Sequence, residues 1–390
     1  MTIESNPVQQ SQRNESVDIV RGLAIVGVLI ANFTSFTDQQ VPASVLQPIS
    51  SPLDNVLSGI NSIFFEWKFM TLFSILFGYG FGLLISSVER KNINPNAFFI
   101  RRMFWLFLIG FIHISFWWFD VLHLYAVSGL FLLFFRKSSN QTVLIGSIFF
   151  MIVFPFLTSW VLKDNPDTFT EADGFQIYLQ FKNGNLFELF KANLIGYYKL
   201  FVISLSEIHD VAETLGRFLL GYYLLRIGFF DTIENKKKLF RKILLITLPL
   251  SIAYLFIRWM MFTDRLTNVT VYWEPFIKLG IDCTSLVYAL LLLLAFLSSK
   301  NNRIFMFLKT MGKMTLTNYL IISAINVIVL YGIGFGKLGE YAMHEIWLIA
   351  IACLIFEAFF SLWWLRRFRY GPAEWIWRQL TYRKILPLKK

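Results

Sequence analysis

His113 is the residue of this chain best placed to do chemistry. It stands in a run from Arg101 to Tyr125 that is otherwise almost wholly aromatic and aliphatic, with Arg101 and Arg102 at one end and Asp120 and His123 at the other. Arg102 and Asp120 are 18 residues apart, or roughly 27 Å of helix at about 1.5 Å per residue, close to a hydrocarbon core of about 30 Å. Arg102, Leu106, Gly110, His113, Trp117 and Asp120 follow helical spacing and are expected on one face. That spacing puts His113 roughly 10 Å along the axis from Asp120. An ionisable side chain at such depth faces the protein interior or a wet cavity, because lipid cannot solvate it. A histidine beside a carboxylate is what general-base catalysis requires: the carboxylate orients the imidazole and stabilises its charged form. The structural alternative is a buried histidine bonded to a neighbouring helix.

Other polar groups fall within apolar segments. Asp18, Arg21 and Asn32 lie close to one helical face near the N-terminus. The Asp18–Arg21 pair reads either as an interfacial ion pair or as an anion site for phosphates, which Arg101 and Arg102 would extend. Glu66 and Lys68 lie near the same membrane side as Asp120 and His123. Further on, His209, Glu213 and Arg217 are spaced by four, and Glu213 precedes Arg217 in the favourable order for an intrahelical pair. Mutual neutralisation within a bundle accounts for Arg217. It does not account for the gathering of acidic and histidine residues towards one half of the membrane, where polar groups often line a substrate or proton pathway. The four His are dispersed, and the two Cys, Cys283 and Cys353, sit in apolar segments. No metal-ligand spacing results, and no metal is expected.

The elements that must carry these residues are membrane helices. Of 390 residues, 56% are hydrophobic, 18% aromatic and 16% charged, and the mean hydropathy is +0.57; soluble domains carry about 25% charged residues. The fold class is all-α, a polytopic bundle of about ten transmembrane helices. Spans are expected over 19–36, 60–87, 102–120, 121–135, 143–162, 208–229, 243–261, 276–297, 315–331 and 346–365. Ten spans put both termini in the cytoplasm together with most of the basic loops, the positive-inside pattern. The net charge of +11 is therefore a topology signal, with no nucleic-acid partner. One domain spans 1–390. Residues 1–17 form a polar cytoplasmic N-terminus. Residues 163–206 form an extracytoplasmic loop with turns at Asp164-Asn-Pro-Asp167 and at 183–185 and interfacial helices over 175–181 and 186–201. Residues 371–390 form a cytoplasmic tail that begins as an amphipathic helix, with Pro372 in its first turn, Glu374 and Arg378 four apart, and Trp375 and Trp377 at the interface.

Six motifs in order resemble the YeiB-like family of bacterial integral membrane proteins, the domain of unknown function 418. They are Asp18-Ile-Val-Arg21-Gly22 with Asn32; Leu72-Phe-Ser-Ile-Leu-Phe-Gly78-Tyr-Gly80; Gly110-Phe-Ile-His113 with Asp120 and Tyr125; Gly216-Arg217 with Gly221; Thr315-Leu-Thr-Asn318-Tyr319; and Gly371-Pro372-Ala-Glu374-Trp375-Ile-Trp377-Arg378. The family is distantly similar to transmembrane acyltransferases, which move an acyl group from cytoplasmic acyl-CoA to a sugar acceptor on the far side. The resemblance implies a helix bundle with a pore-like active site. It departs at one place: the O-acyltransferases carry a histidine in the first span, where this chain has Asn32, so His113 replaces it only by inference.

Two readings follow. As an acyltransferase, the protein would hold an acyl-CoA donor at Arg21, Arg101 and Arg102 and an extracytoplasmic acceptor such as a cell-surface glycan near Glu66, His209, Glu213 and Arg217. His113 would be the base, Asp120 its orienting carboxylate, and Asn32 an oxyanion donor. As a small-solute transporter, it would use the same carboxylates and histidines for proton coupling; no internal repeat favours that. The expected surroundings are the bacterial cytoplasmic membrane, with the lipid bilayer and a second copy of the chain as partners. No cofactor is expected beyond acyl-CoA as a substrate.

Overall fold

Caps and turn residues cut the apolar chain into helices. A computed structural model describes residues 14–38, 51–162, 169–267 and 273–390; the expected turn at 164–167 and most of the polar N-terminus lie outside them. Sixteen α-helices and no strand occur among the described residues. Helix α1 (Glu15–Asp38) is the central rod, and α2 (Pro52–Ile60) and α3 (Lys68–Glu89) follow it. The expected span over 60–87 falls within one apolar stretch, 52–89, but its helix is interrupted before Lys68. Asn61–Phe65 form a π-turn and Trp67 takes a left-handed backbone, φ 68°. The break serves Lys68, which is wholly buried and donates to the Ser62 carbonyl at 3.0 Å.

Helix α4 (Pro95–Ile114) starts on an Asn94 cap that accepts from the Asn96 and Ala97 amides, with Pro95 in its first turn. It stops at Ile114, so the expected single helix from Arg102 through Asp120 is not what forms. The Phe116 and Trp117 amides both turn back to the His113 carbonyl, and Trp118 N–H is captured by Asn193 Oδ1 at 3.1 Å. Four consecutive aromatic residues, Phe116 to Phe119, cannot share one lipid-facing stripe and instead pack inward and against neighbours. Asp120 then accepts from the His123 amide at 2.9 Å and so caps α5 (Leu122–Leu132).

Helices α6 (Asn140–Ile148) and α7 (Phe154–Leu162) form one lipid-facing span across a π-turn. Helices α8 (Glu171–Asn183) and α9 (Leu186–Tyr197) each start on a capping box, Thr170 with Asp173 and Asn185 with Glu188. They cover the 115–121 turn: Trp118 packs on Phe181, and Gly196 leaves room for its ring. Next come α10 (Ser206–Arg226), α11 (Lys237–Phe262), α12 (Glu274–Ser298) and α13 (Arg303–Lys313), then α14 (Thr315–Leu330), α15 (Met343–Arg367) and α16 (Pro372–Tyr382). Helices α13 and α14 meet at an 84° bend.

This is a membrane protein: among the described residues, seven stretches are long and apolar enough to cross, or eight if the bent α13–α14 pair is one span. The ten expected crossings also require α5, which is short, and α10, which carries Glu207, His209, Asp210, Glu213 and Arg217. Helix α10 tolerates that polarity because α3, α5 and α6 surround it and keep lipid away.

Candidate functional site

A cavity of about 310 Å³ runs along α1. Its wall there is Asn14, just before the helix, and Val17, Asp18, Arg21, Ile25, Val28 and Asn32 on it, one face read at helical spacing. From Asn14 to Asn32 is about 27 Å at 1.5 Å per residue, most of a membrane's depth. The N-terminal end is basic on balance, with Arg21, Arg90, Arg102, Lys313 and Arg378 in the lining against the carboxyl groups of Asp18 and Glu374. The middle is apolar, with Phe73, Leu76, Phe77, Phe81 and Leu106. The far end is formed by Asn32, Phe119, Val121, Leu122, Tyr125 and Tyr319.

Each basic side chain is placed by a local device. Gly80 gives Arg21 its space, since a Cβ there would lie 2.9 Å from the guanidinium. Arg21 sits 3.7 Å from Asp18. The Arg102 guanidinium lies 3.5 Å over the Trp377 ring, whose Nε1 donates to the Arg102 carbonyl at 3.0 Å. Helix α16 is thus a wall of the cavity mouth. It is fastened by Glu374, which accepts from the Leu316 and Thr317 amides at 2.7 and 3.2 Å and from the Thr317 hydroxyl at 2.6 Å. A carboxylate at the N-terminus of α14 is also favoured by the helix dipole. Burial raises the Glu374 carboxyl above its ordinary range, against the pull of those hydrogen bonds.

Behind the far end lies a buried cluster. His113 Nδ1 is 2.8 Å from Asp120 Oδ1, and His123 Nδ1 is 2.8 Å from Asp120 Oδ2. The first contact lacks hydrogen-bond alignment, and neither ring nitrogen of His113 has a hydrogen-bond partner among the described residues. His123 Nε2 is 3.1 Å from both Glu207 Oε1 and the Tyr197 hydroxyl. The two histidines thus hold both oxygens of one carboxylate. Gly110 makes the approach of α4 to this turn geometrically feasible: a Cβ there would come within 2.4 Å of the His123 nitrogen and 2.8 Å of Asp120 Oδ2. On the side away from the basic mouth, Trp117 stacks on Phe36 at 3.5 Å, and α9 packs over Trp118.

The structure brings together His113 and Asp120, and it places Asn32, Arg21 and Arg102 on one cavity. The separation of roughly 10 Å expected between His113 and Asp120 is corrected, because the turn after Ile114 folds the carboxylate back. Arg101 leaves the cavity: its Nε donates to the Thr381 carbonyl under α16. Glu66 is also elsewhere, paired with Arg258 at 2.7 Å. His209, Glu213 and Arg217 belong to a separate network between α10 and α12. Arg217 pairs with Glu213 and with Asp282 at 3.0 Å, and Lys278 reaches Glu213 at 2.6 Å and His209 Nε2 at 2.8 Å. His209, Asp210 and Glu213 are close enough together to hold a metal ion, but the Lys278 ammonium already sits at two of those ligand atoms. That network is read as an internal ion-pair lattice.

The sequence reading noted His123 beside Asp120, but it did not place Arg90, Lys313 and Arg378 at the mouth or Glu207 and Tyr319 at the cluster. Arg378 was detectable in principle, since Glu374, Trp377 and Arg378 share one face of α16. Arg90 and Lys313 had no such signal, because a basic residue at a helix end is ordinary topology.

Comparison with known proteins gives the following. Residues 224–384 match a family described as "Protein of unknown function (DUF418)". The chain is 26% identical to the uncharacterized protein YxaH of Bacillus subtilis (strain 168), over 98% of each chain. It is 25% identical to the uncharacterized protein YeiB of Escherichia coli (strain K12), over 96% of this chain and 98% of that one. No solved structure matches significantly.

Proposed function

On the footing that the chain belongs with the YeiB-like proteins of the DUF418 family, we propose that it is an acyltransferase of the bacterial cytoplasmic membrane. It takes an acyl group from cytoplasmic acyl-CoA to an extracytoplasmic hydroxyl acceptor, such as that of a cell-surface glycan. One observation carries the reading. A single cavity has five cations at one end and approaches the buried His113–Asp120 pair at the other.

The residues divide the work as follows. Arg21, Arg90, Arg102, Lys313 and Arg378 bind the donor phosphates, with arginine suited to bidentate phosphate contact. The apolar middle takes the donor arm and excludes water. His113 Nε2 accepts the acceptor's hydroxyl proton as the oxygen attacks the thioester carbon, and it later returns that proton to the departing CoA sulfur. Asp120 orients the ring and stabilises the imidazolium. His123 holds the second oxygen of Asp120 and so fixes the carboxylate. The positive-inside rule assigns the basic mouth to the cytoplasm, the compartment that supplies acyl-CoA.

The test is calorimetric titration of the detergent-solubilised protein with CoA and acetyl-CoA, followed by transfer of radiolabelled acetyl groups in membrane vesicles. Saturable binding with label appearing in a membrane or surface fraction supports the reading. A protein that binds neither ligand is instead a candidate small-solute transporter, and the α10–α12 network is the feature that would favour that alternative.

A further inference from the structure

His113 and Asp120 do not themselves line the cavity; Tyr319 does. Among the described lining residues, it is the one whose polar atom reaches the cluster. Its hydroxyl lies 3.5 Å from Asp120 Oδ1, and its ring centroid is 5.0 Å from that of His113. Tyr319 also belongs to the Thr315-Leu-Thr-Asn318-Tyr319 motif, which the mechanism above leaves unused. Three successive side chains of this motif are tied to three different parts of the fold. Thr317 is held by Glu374 of α16, Asn318 by Ser361 of α15 at 3.2 Å, and Tyr319 by the Asp120 turn. The first turn of α14 is therefore pinned, and the Tyr319 ring with it.

We propose that Tyr319 is a catalytic residue, the hydroxyl that donates a hydrogen bond to the thioester carbonyl of the bound donor. This rests on the acyl-transfer reading and deepens it. A phenolic hydroxyl has one proton to donate. At 3.5 Å its bond to Asp120 is at the long limit, well beyond the usual O–H···O distance of about 2.7–2.8 Å. That proton is readily redirected to a better-placed acceptor in the cavity. A carbonyl bound there also lies at the end of the cavity behind which His113 and Asp120 are buried.

The step balances. The acceptor oxygen forms a bond to the carbonyl carbon as its proton passes to His113. The carbonyl π pair moves to oxygen, where the Tyr319 O–H stabilises the developing charge. The pair then re-forms the carbonyl as the carbon–sulfur bond breaks, and the sulfur takes the proton from His113. Tyr319 keeps its own proton throughout.

The test compares acetyl-CoA with CoA. Wild-type protein should bind acetyl-CoA about two- to tenfold more tightly, the worth of one neutral hydrogen bond. Tyr319→Phe should lose that preference while its CoA affinity stays unchanged. The carbonyl stretch of acetyl-CoA labelled with ¹³C at the thioester carbon should shift to lower frequency on binding wild-type protein, a readout that requires no variant to fold. An unshifted carbonyl, no preference in wild type, or a preference retained in Tyr319→Phe would each overturn the proposal while leaving CoA binding intact. Absence of binding by both ligands would instead overturn the acyl-transfer reading, and this proposal with it.

Discussion

His113 Nδ1 and Asp120 Oδ1 stand 2.8 Å apart, although a continuous helix would separate the two residues by roughly 10 Å. The turn after Ile114 makes the difference. It converts two groups on one helix into a facing pair, with the carboxylate held from its other side by His123 at 2.8 Å. His113→Ala should leave a folded protein that binds CoA normally and transfers acyl groups about 10²–10⁴-fold more slowly. Binding titration together with transfer of radiolabelled acetyl groups checks this. Full activity in a normally folded variant would make the histidine structural.

Arg101 and Arg102 are adjacent in sequence and separate in role. Arg102 lines the cavity, whereas Arg101 faces the Thr381 carbonyl. Arg102→Ala should weaken CoA binding about tenfold or more, as expected for loss of a charge-assisted contact worth about 1.5–3 kcal/mol. Arg101→Ala should change it by less than about twofold, since it loses no phosphate contact of that size. Titration of both variants at low and high salt settles the contrast, because the exposed part of phosphate binding weakens with ionic strength. Equal losses would remove the cavity from the account.

Gly110 is the point of closest approach between α4 and the Asp120 turn. Gly110→Ala places a methyl group 2.4 Å from the His123 nitrogen. Overpacking of this kind costs about 1–3 kcal/mol. The expected result is a lower unfolding temperature in detergent together with loss of transfer activity. An unchanged unfolding temperature would mean that the turn gives way to a methyl group without cost.

Glu374 fastens α16 to the N-terminus of α14. Glu374→Ala strips the cap from two buried amides, a loss of about 0.5–2 kcal/mol by comparison with other helix caps. The C-terminal helix should then be cleaved faster in limited proteolysis, and CoA affinity should fall because Trp377 and Arg378 form part of the cavity wall. Proteolysis at the wild-type rate would show that Trp377 packing alone holds α16.

Topology is tested by labelling. Single cysteines at positions 238 and 390 should both react from the cytoplasmic side, as ten crossings and the basic loops require. Opposite-side labelling would overturn that count, and with it the assignment of the basic mouth to the cytoplasm.

Composition alone made this an all-α membrane protein, because apolar runs of membrane length have few other stable solutions. The sequence also drew attention to His113, Asp120, Asn32, Arg21 and Arg102, since ionisable and polar groups in apolar helices need a reason to be there. Helical periodicity then misplaced Asp120, because it measures distance along one helix and knows nothing of a chain that turns back. The α4–α5 turn depends on Asn193 of α9 and on the space at Gly110, contacts that no local pattern encodes. The same limit hid the cavity. Arg90, Lys313 and Arg378 come from three separate segments, and only the packing of α1, α3, α13 and α16 around one void makes them neighbours. Tyr319 shows the limit most clearly. Its motif was visible, but its position between the cavity and the buried histidines is set by three anchors on three other parts of the chain.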